Sequence, residues 1–204
     1  MIVEAGHFAL LLALALSAAQ AWIGFTAGRW GDKRLAQSAD NITLVSLGAV
    51  AIAFAALTYA YVGSDFSVRN VVENSHTLKP IIYKISGVRG NHEGSMLLWA
   101  LILCFFSGLV VVFGGNLPER LKANVLGFQG LIALAFLLFI LFTSNPFERV
   151  LNPPVEGNDL NPVLQDIGLA VHPPMLYLGY VGFSVAFSFA VAALIDGRID
   201  AAWA

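Results

Sequence analysis

Charge is what this sequence has least of. Lys, Arg, Asp and Glu make up 12% of its 204 residues, about half the share of a soluble domain. Cysteine is nearly absent too, with Cys104 alone, inside an apolar run. The chain therefore forms no internal disulfide and has no dithiol chemistry of its own. No Cys-x-x-Cys-His occurs, so the protein is not itself a c-type cytochrome. Walker A and Gly-x-Gly-x-x-Gly patterns are missing, and no serine or cysteine nucleophile has a plausible base. With a net charge of −2 and no basic cluster, nucleic acid is not an implied partner.

The remaining charges are unevenly spaced, and the gaps decide the class. Residues 5–28, 41–64, 94–118, 123–147 and 167–195 carry no Asp, Glu, Lys or Arg. Each run exceeds the roughly 20 residues that cross a bilayer core. A charge at mid-membrane costs about 2.5–3.5 kcal/mol, so five clean windows predict an all-α, polytopic membrane protein with about five transmembrane helices. The expected spans are 6–27, 41–62, 94–114, 124–144 and 173–195, in one transmembrane domain covering 1–204. Ala19-Gln20-Ala21 mimics a signal-cleavage site, but Glu4 precedes the first run while Arg29, Lys33 and Arg34 follow it. That order predicts a retained first helix with its N-terminus outside. Segments 28–40, 115–123 and 196–204 hold six Lys or Arg in 31 residues, against five in the 59 residues of 63–93 and 145–172. The positive-inside rule then places the two long loops on the outer face. A solute transporter would need charged groups within its helices, which these windows lack.

The densest cluster of motifs runs from Asn161 to Tyr180. Asn161-Pro162 is a helix-start pair, and Leu160, Val163, Leu164, Ile167 and Val171 recur at intervals of three and four. The reading is a short amphipathic helix broken at Gly168. His172 then precedes Pro173 and Pro174, which predicts an extended residue just ahead of the fifth membrane helix, near the apolar–water boundary. A neutral imidazole in that place is the donor that a haem iron or another metal needs; an interfacial histidine at a helix start has the same spacing. Asn91 is the expected cap of the third span, with Glu93 in its first turn. His92 and Glu93 read either as a polar gate beside an outer-face site or as an interfacial helix start. His76 reads as a solvated loop histidine, His7 carries no assigned role, Tyr177 and Tyr180 read as an aromatic belt, and Phe183, Phe187 and Phe189 read as packing.

Three blocks closely resemble the CcmF family of haem lyases: Gly90-Asn-His-Glu-Gly-Ser-Met-Leu-Leu-Trp99, Leu137 to Phe147, and Leu160 to Phe183 with its His-Pro-Pro. The resemblance runs through essentially all of the chain. It implies a bacterial cytoplasmic (inner) membrane protein, or a mitochondrial inner-membrane one. Such a protein takes transient b-type haem from the chaperone CcmE and, with CcmH and CcmI, promotes its attachment to apocytochrome c. By that resemblance His172, followed by Pro173 and Pro174, is an axial ligand to the haem iron, and His92 and Glu93 lie near the site. Arg89 stands where the family usually has tryptophan, and a long side chain there can reach for water. The family's tryptophan-rich WWD segment, its second outer-face ligand and the histidines of a buried b-type haem have no counterpart in these 204 residues. The expectation is therefore an N-terminal part of a CcmF-like protein, with the second axial ligand outside this chain. The alternative function is a non-ligating membrane scaffold that docks other maturation subunits.

Overall fold

The computed structural model describes residues 1–197. Five long helices are present: α1 (Ile2–Trp30), α2 (Lys33–Val62), α5 (His92–Phe113), α6 (Glu119–Thr143) and α7 (Ile167–Asp196), with two short ones, α3 (Arg69–Asn74) and α4 (Ile81–Gly87), between α2 and α5. All five long helices are apolar and long enough to cross a membrane, and the described residues form no β-strand, only an isolated Val68–Arg149 bridge. This is a multi-pass, all-helical protein. Arg198, counted above among the basic residues of the short segments, lies outside the described residues.

α1, α2, α5 and α6 each begin ahead of their charge-free windows, because polar residues continue a helix once water or a partner satisfies them. α2 starts at Lys33, capped by the Asp32 carboxylate accepting from the Arg34 and Leu35 N–H groups. Its polar first turns run along the end of the bundle: Lys33 meets Glu119 at 3.2 Å, and Lys122 meets Asp40 at 2.9 Å. Gly31 makes the tight turn out of α1 at φ 68°, a backbone conformation that favours glycine.

α1 packs chiefly on α2 and α6. Small residues make the approach close: a Cβ added at Gly24 would lie 2.7 Å from the Gly127 backbone nitrogen. In lipid, where apolar surface gains nothing by moving from tails to protein, such close packing and interhelical hydrogen bonds replace the hydrophobic drive. Ala13, Ala49, Ala53, Ala56 and Ala60 continue the small-residue seam, with Leu10, Leu57, Leu97, Leu137 and Ile140 filling the shared core. α7 rests on α5 and α6. Its attachment includes Gln129, fully buried in α6, which accepts from the Ser107 hydroxyl at 3.1 Å and donates to Ser188 (2.9 Å) and Ser184 (3.2 Å).

The N-terminus, the 63–91 segment and the 144–166 loop meet at one end of the bundle. Arg69 N–H donates to the Glu148 carbonyl at 2.9 Å and Val150 N–H to Ser67 at 3.0 Å, while the Arg149 side chain pairs with Glu4. Grouping these segments at one end agrees with the alternation read from the sequence.

Candidate functional site

A cavity of about 510 Å³ opens at this end, between the α4–α5 turn, the 3-10 turn Pro162–Leu164 and the first turns of α7. Asn91 builds its floor. Its side-chain oxygen caps α5 by accepting from Gly94 N–H at 2.7 Å, and its amide donates to the Tyr61 hydroxyl at 2.8 Å. Tyr61, fully buried, donates in turn to the Asn70 side chain at 2.6 Å. The cap expected from the sequence is thus present and tied to a buried polar network that fixes the start of α5.

His92, exposed, lines the cavity mouth and meets the Phe139 ring edge-on at 5.9 Å. Glu93 faces elsewhere, accepting from Asn70 at 3.3 Å. The two residues that follow one another in sequence therefore serve different neighbourhoods. Trp99 and Tyr177 form the aromatic wall, with ring centroids 5.4 Å apart and Phe136 stacked behind Trp99 at 5.8 Å. The Tyr177 hydroxyl reaches Ser95 at 3.4 Å, so this ring belongs to the site rather than to a lipid-facing belt; Tyr180 is exposed, as a belt residue would be.

His172 departs from its expected conformation. It lies inside α7, the helix that begins at Ile167 under the Asp166 cap, and the segment before it is a 3-10 turn rather than a short α-helix. Asn161 does cap that turn, accepting from Val163 N–H. Pro173 and Pro174 stand in the helix interior. The pre-proline preference for extended backbone has yielded to a helix already nucleated by Asp166. The pair cannot donate to the carbonyls of Leu169 and Ala170, which are left open. Pro173 turns toward the cavity; the His172 side chain is exposed on an adjacent face. On that face, by helical spacing, lie Gly168, Leu169, Met175, Leu176, Gly179 and Phe183. The large ones are exposed, and a Cβ added at Gly179 would meet nothing within 4 Å. The packing role read for Phe183 and Phe187 fails, since both are more than half exposed, whereas Phe189 does pack against Val110 and Ala192.

Two other histidines acquire partners. His76 is largely packed, its Nδ1 accepting from Leu78 N–H at 3.2 Å and its Nε2 lying 3.9 Å from Glu156. His7 stacks on Phe147 at 6.0 Å and lies 3.3 Å from the Asn145 amide. No group of three His, Cys, Asp or Glu side chains among the described residues is placed to hold a metal ion.

Residues 89–201 match the cytochrome C assembly protein family. The chain belongs to that family. Over all 204 residues it is 67% identical to the cytochrome c-type biogenesis protein CycK of Rhizobium meliloti (strain 1021), and it spans 30% of that protein. It is 52% identical, across its whole length, to the cytochrome c-type biogenesis protein CcmF of Pseudomonas aeruginosa, covering 31% of it. A solved structure titled cytochrome c heme lyase CcmF superposes with a TM-score of 0.84 at 29% identity, over 97% of this chain and 31% of that one. The chain thus spans about a third of the length of the relatives it matches, and the resemblance to CcmF seen in its motifs is borne out.

Proposed function

We propose that this chain is the part of a CcmF-type haem lyase that presents one axial ligand, His172, to haem in transit to apocytochrome c. The exposed His172 imidazole on an apolar, sparsely covered face of α7 carries this reading. Haem is the substrate, and its vinyl groups supply the chemistry that joins it to cysteine thiols of the apocytochrome. The residues present fit it: a nitrogen donor stands clear of its neighbours, and Leu169, Leu176, Met175 and Phe183 offer apolar surface beside it. Gly168 and Gly179 keep that flank low, since neither projects a side chain. His172 orients the ring by holding the iron, a positioning task rather than acid–base catalysis.

The 204 residues act as a single transmembrane domain of a longer protein, in the bacterial inner membrane, with the N-terminus and long loops on the outer side. The second axial ligand, and the docking of CcmE, CcmH, CcmI and apocytochrome c, come from outside this chain. Pro173 and His92 line the adjoining cavity, Glu93 steadies the start of α5 through Asn70, and Pro174 stiffens the interior of α7 beside His172. Purified with its native partners, the His172→Ala protein is expected to lose bound haem from its visible spectrum and to lose cytochrome c assembly. Unchanged haem content with intact assembly would overturn the assignment. It would favour a scaffold reading, which the same uncovered α7 face also suits, as a surface for a neighbouring subunit.

A further inference from the structure

Arg89 is an anomaly among the cations at this end of the bundle. Arg69 pairs with Glu73 and Glu148, Lys79 with Asp159 and Arg149 with Glu4, and Lys84 donates to the Ser64 hydroxyl. The Arg89 guanidinium, half-buried and lining the cavity, has no carboxylate or hydrogen-bond acceptor among the described residues. The acids beside the cavity-lining residues in sequence are engaged elsewhere: Glu93 with Asn70, Asp159 with Lys79, and Asp166 with the Leu169 N–H it caps. A cation withdrawn from water without a counter-ion is costly to hold, and burial pushes the Arg89 pKa down.

The backbone behind this guanidinium is fixed. Ser95 donates to the Arg89 carbonyl at 2.7 Å, and Tyr177 reaches Ser95 from α7. The aromatic faces of Trp99 and Tyr177 then make one wall, continued by Pro173 one turn earlier on α7, and Leu160 also lines the cavity. An open cavity with a free planar cation, flat aromatic walls and apolar sides suits a ligand of matching make-up: a flat apolar body that ends in a carboxylate. A lipid phosphate would satisfy the charge but make little use of paired aromatic walls. Leu169 belongs both to the cavity lining and to the apolar flank of His172, so one extended ring can border both.

We infer that Arg89 is a carboxylate-binding residue, and that the cavity beside α7 receives a propionate arm of a tetrapyrrole whose ring lies toward His172. This rests on the haem-handling role proposed above, but its test needs no iron. Bidentate guanidinium–carboxylate pairs are among the strong charge-assisted bonds, so their loss reads as roughly a ten- to a hundred-fold change in affinity.

The probe is metal-free protoporphyrin IX, titrated by fluorescence into the complete protein with its native partners, held in phosphatidylcholine nanodiscs. The free diacid is expected to bind at least tenfold tighter than its dimethyl ester. Arg89→Gln should erase that difference by weakening the diacid alone, and Arg89→Lys should restore part of it. Because neither porphyrin carries iron, the diacid–ester difference reads Arg89, whereas the haem spectrum of the His172→Ala protein reads the ligand assignment, so the two failures are distinguishable. Equal binding of diacid and ester to the unaltered protein would overturn the proposal without any variant. So would an Arg89→Gln protein that binds the diacid normally, or competitive displacement of the diacid by phosphatidylglycerol, which would mark the site as a lipid headgroup's.

Discussion

α1 and α7 are nearly equal in length, at 29 and 30 residues, and both are apolar throughout. In α1, 39% of the most apolar stretch is buried by the rest of the bundle; in α7 the figure is 22%. α1 is gripped by backbone-to-backbone approach at Gly24 and Gly127, which leaves no room for a larger side chain. α7 is held at separated polar points, Gln129 with its serines and Tyr177 with Ser95, with Val181 packed between them and its outward flank, at Gly179, Tyr180 and Phe183, left open. Hydropathy alone does not separate a helix gripped by its neighbours from one with an open flank. What separates them is whether small residues draw a neighbour close or stand bare.

Four changes test that contrast. The largest effect is expected from Gly24→Val, which forces a side chain into the α6 backbone; overpacking of this kind costs about 3 kcal/mol, and denaturation in detergent should show early loss of the α1–α6 pairing. Next, Gln129→Leu removes three hydrogen bonds, yet Ser107 and Ser188 keep their bonds to Leu103 and Ser184 in their own helices. A loss of about 1–2 kcal/mol is expected, with proteolysis or cysteine accessibility rising in α7 and not in α1. Should both substitutions loosen the two helices equally, the division between them is void.

A smaller, pH-dependent effect lies at the edge of the site. Glu156 accepts from the Thr77 hydroxyl at 2.6 Å and from its N–H at 3.0 Å, and these bonds hold its carboxyl below the usual glutamate range. A lowered folded-state value means stabilisation that is complete above the unfolded value and lost as pH falls through the folded one. The protection of the Thr77 N–H, its exchange relative to an unprotected amide at the same pH, should therefore fall on acidification below about pH 4, and Glu156→Gln should flatten that profile. Smallest of all, Gly179→Leu should leave stability unchanged within about 0.5 kcal/mol, since its Cβ enters open space. A large loss there, in the isolated chain, would mean that α7 is gripped after all.

The five spans were legible because uninterrupted apolar runs answer to one strong constraint, the cost of a charge in lipid. The Asn91 cap was legible for a similarly local reason, a side chain satisfying the N–H groups beside it. The position of His172 was not. His-Pro-Pro states a preference for extended backbone before proline, whereas Asp166, six residues earlier, had already committed the chain to a helix. Arg89 shows the other limit. Its departure from the family tryptophan was visible, but that its guanidinium lies without a counter-ion depends on where Glu93, Asp159 and Asp166 turn, and each is drawn off by a different element. Likewise, nothing in the spacing of Tyr177 and Tyr180 says that one completes a wall and the other stands free.

The two prolines inside α7 also act as a depth gauge. Carbonyls deprived of their partners at Leu169 and Ala170 are costly in hydrocarbon unless a neighbour satisfies them, and cost little where water reaches. From Pro174 to Asp196 the helix climbs 22 residue-to-residue steps, about 33 Å at 1.5 Å each, which matches the thickness of the bilayer's oily layer. With the opening turns of α7 set at headgroup level, the length of the following span and the two bare carbonyls are accommodated together.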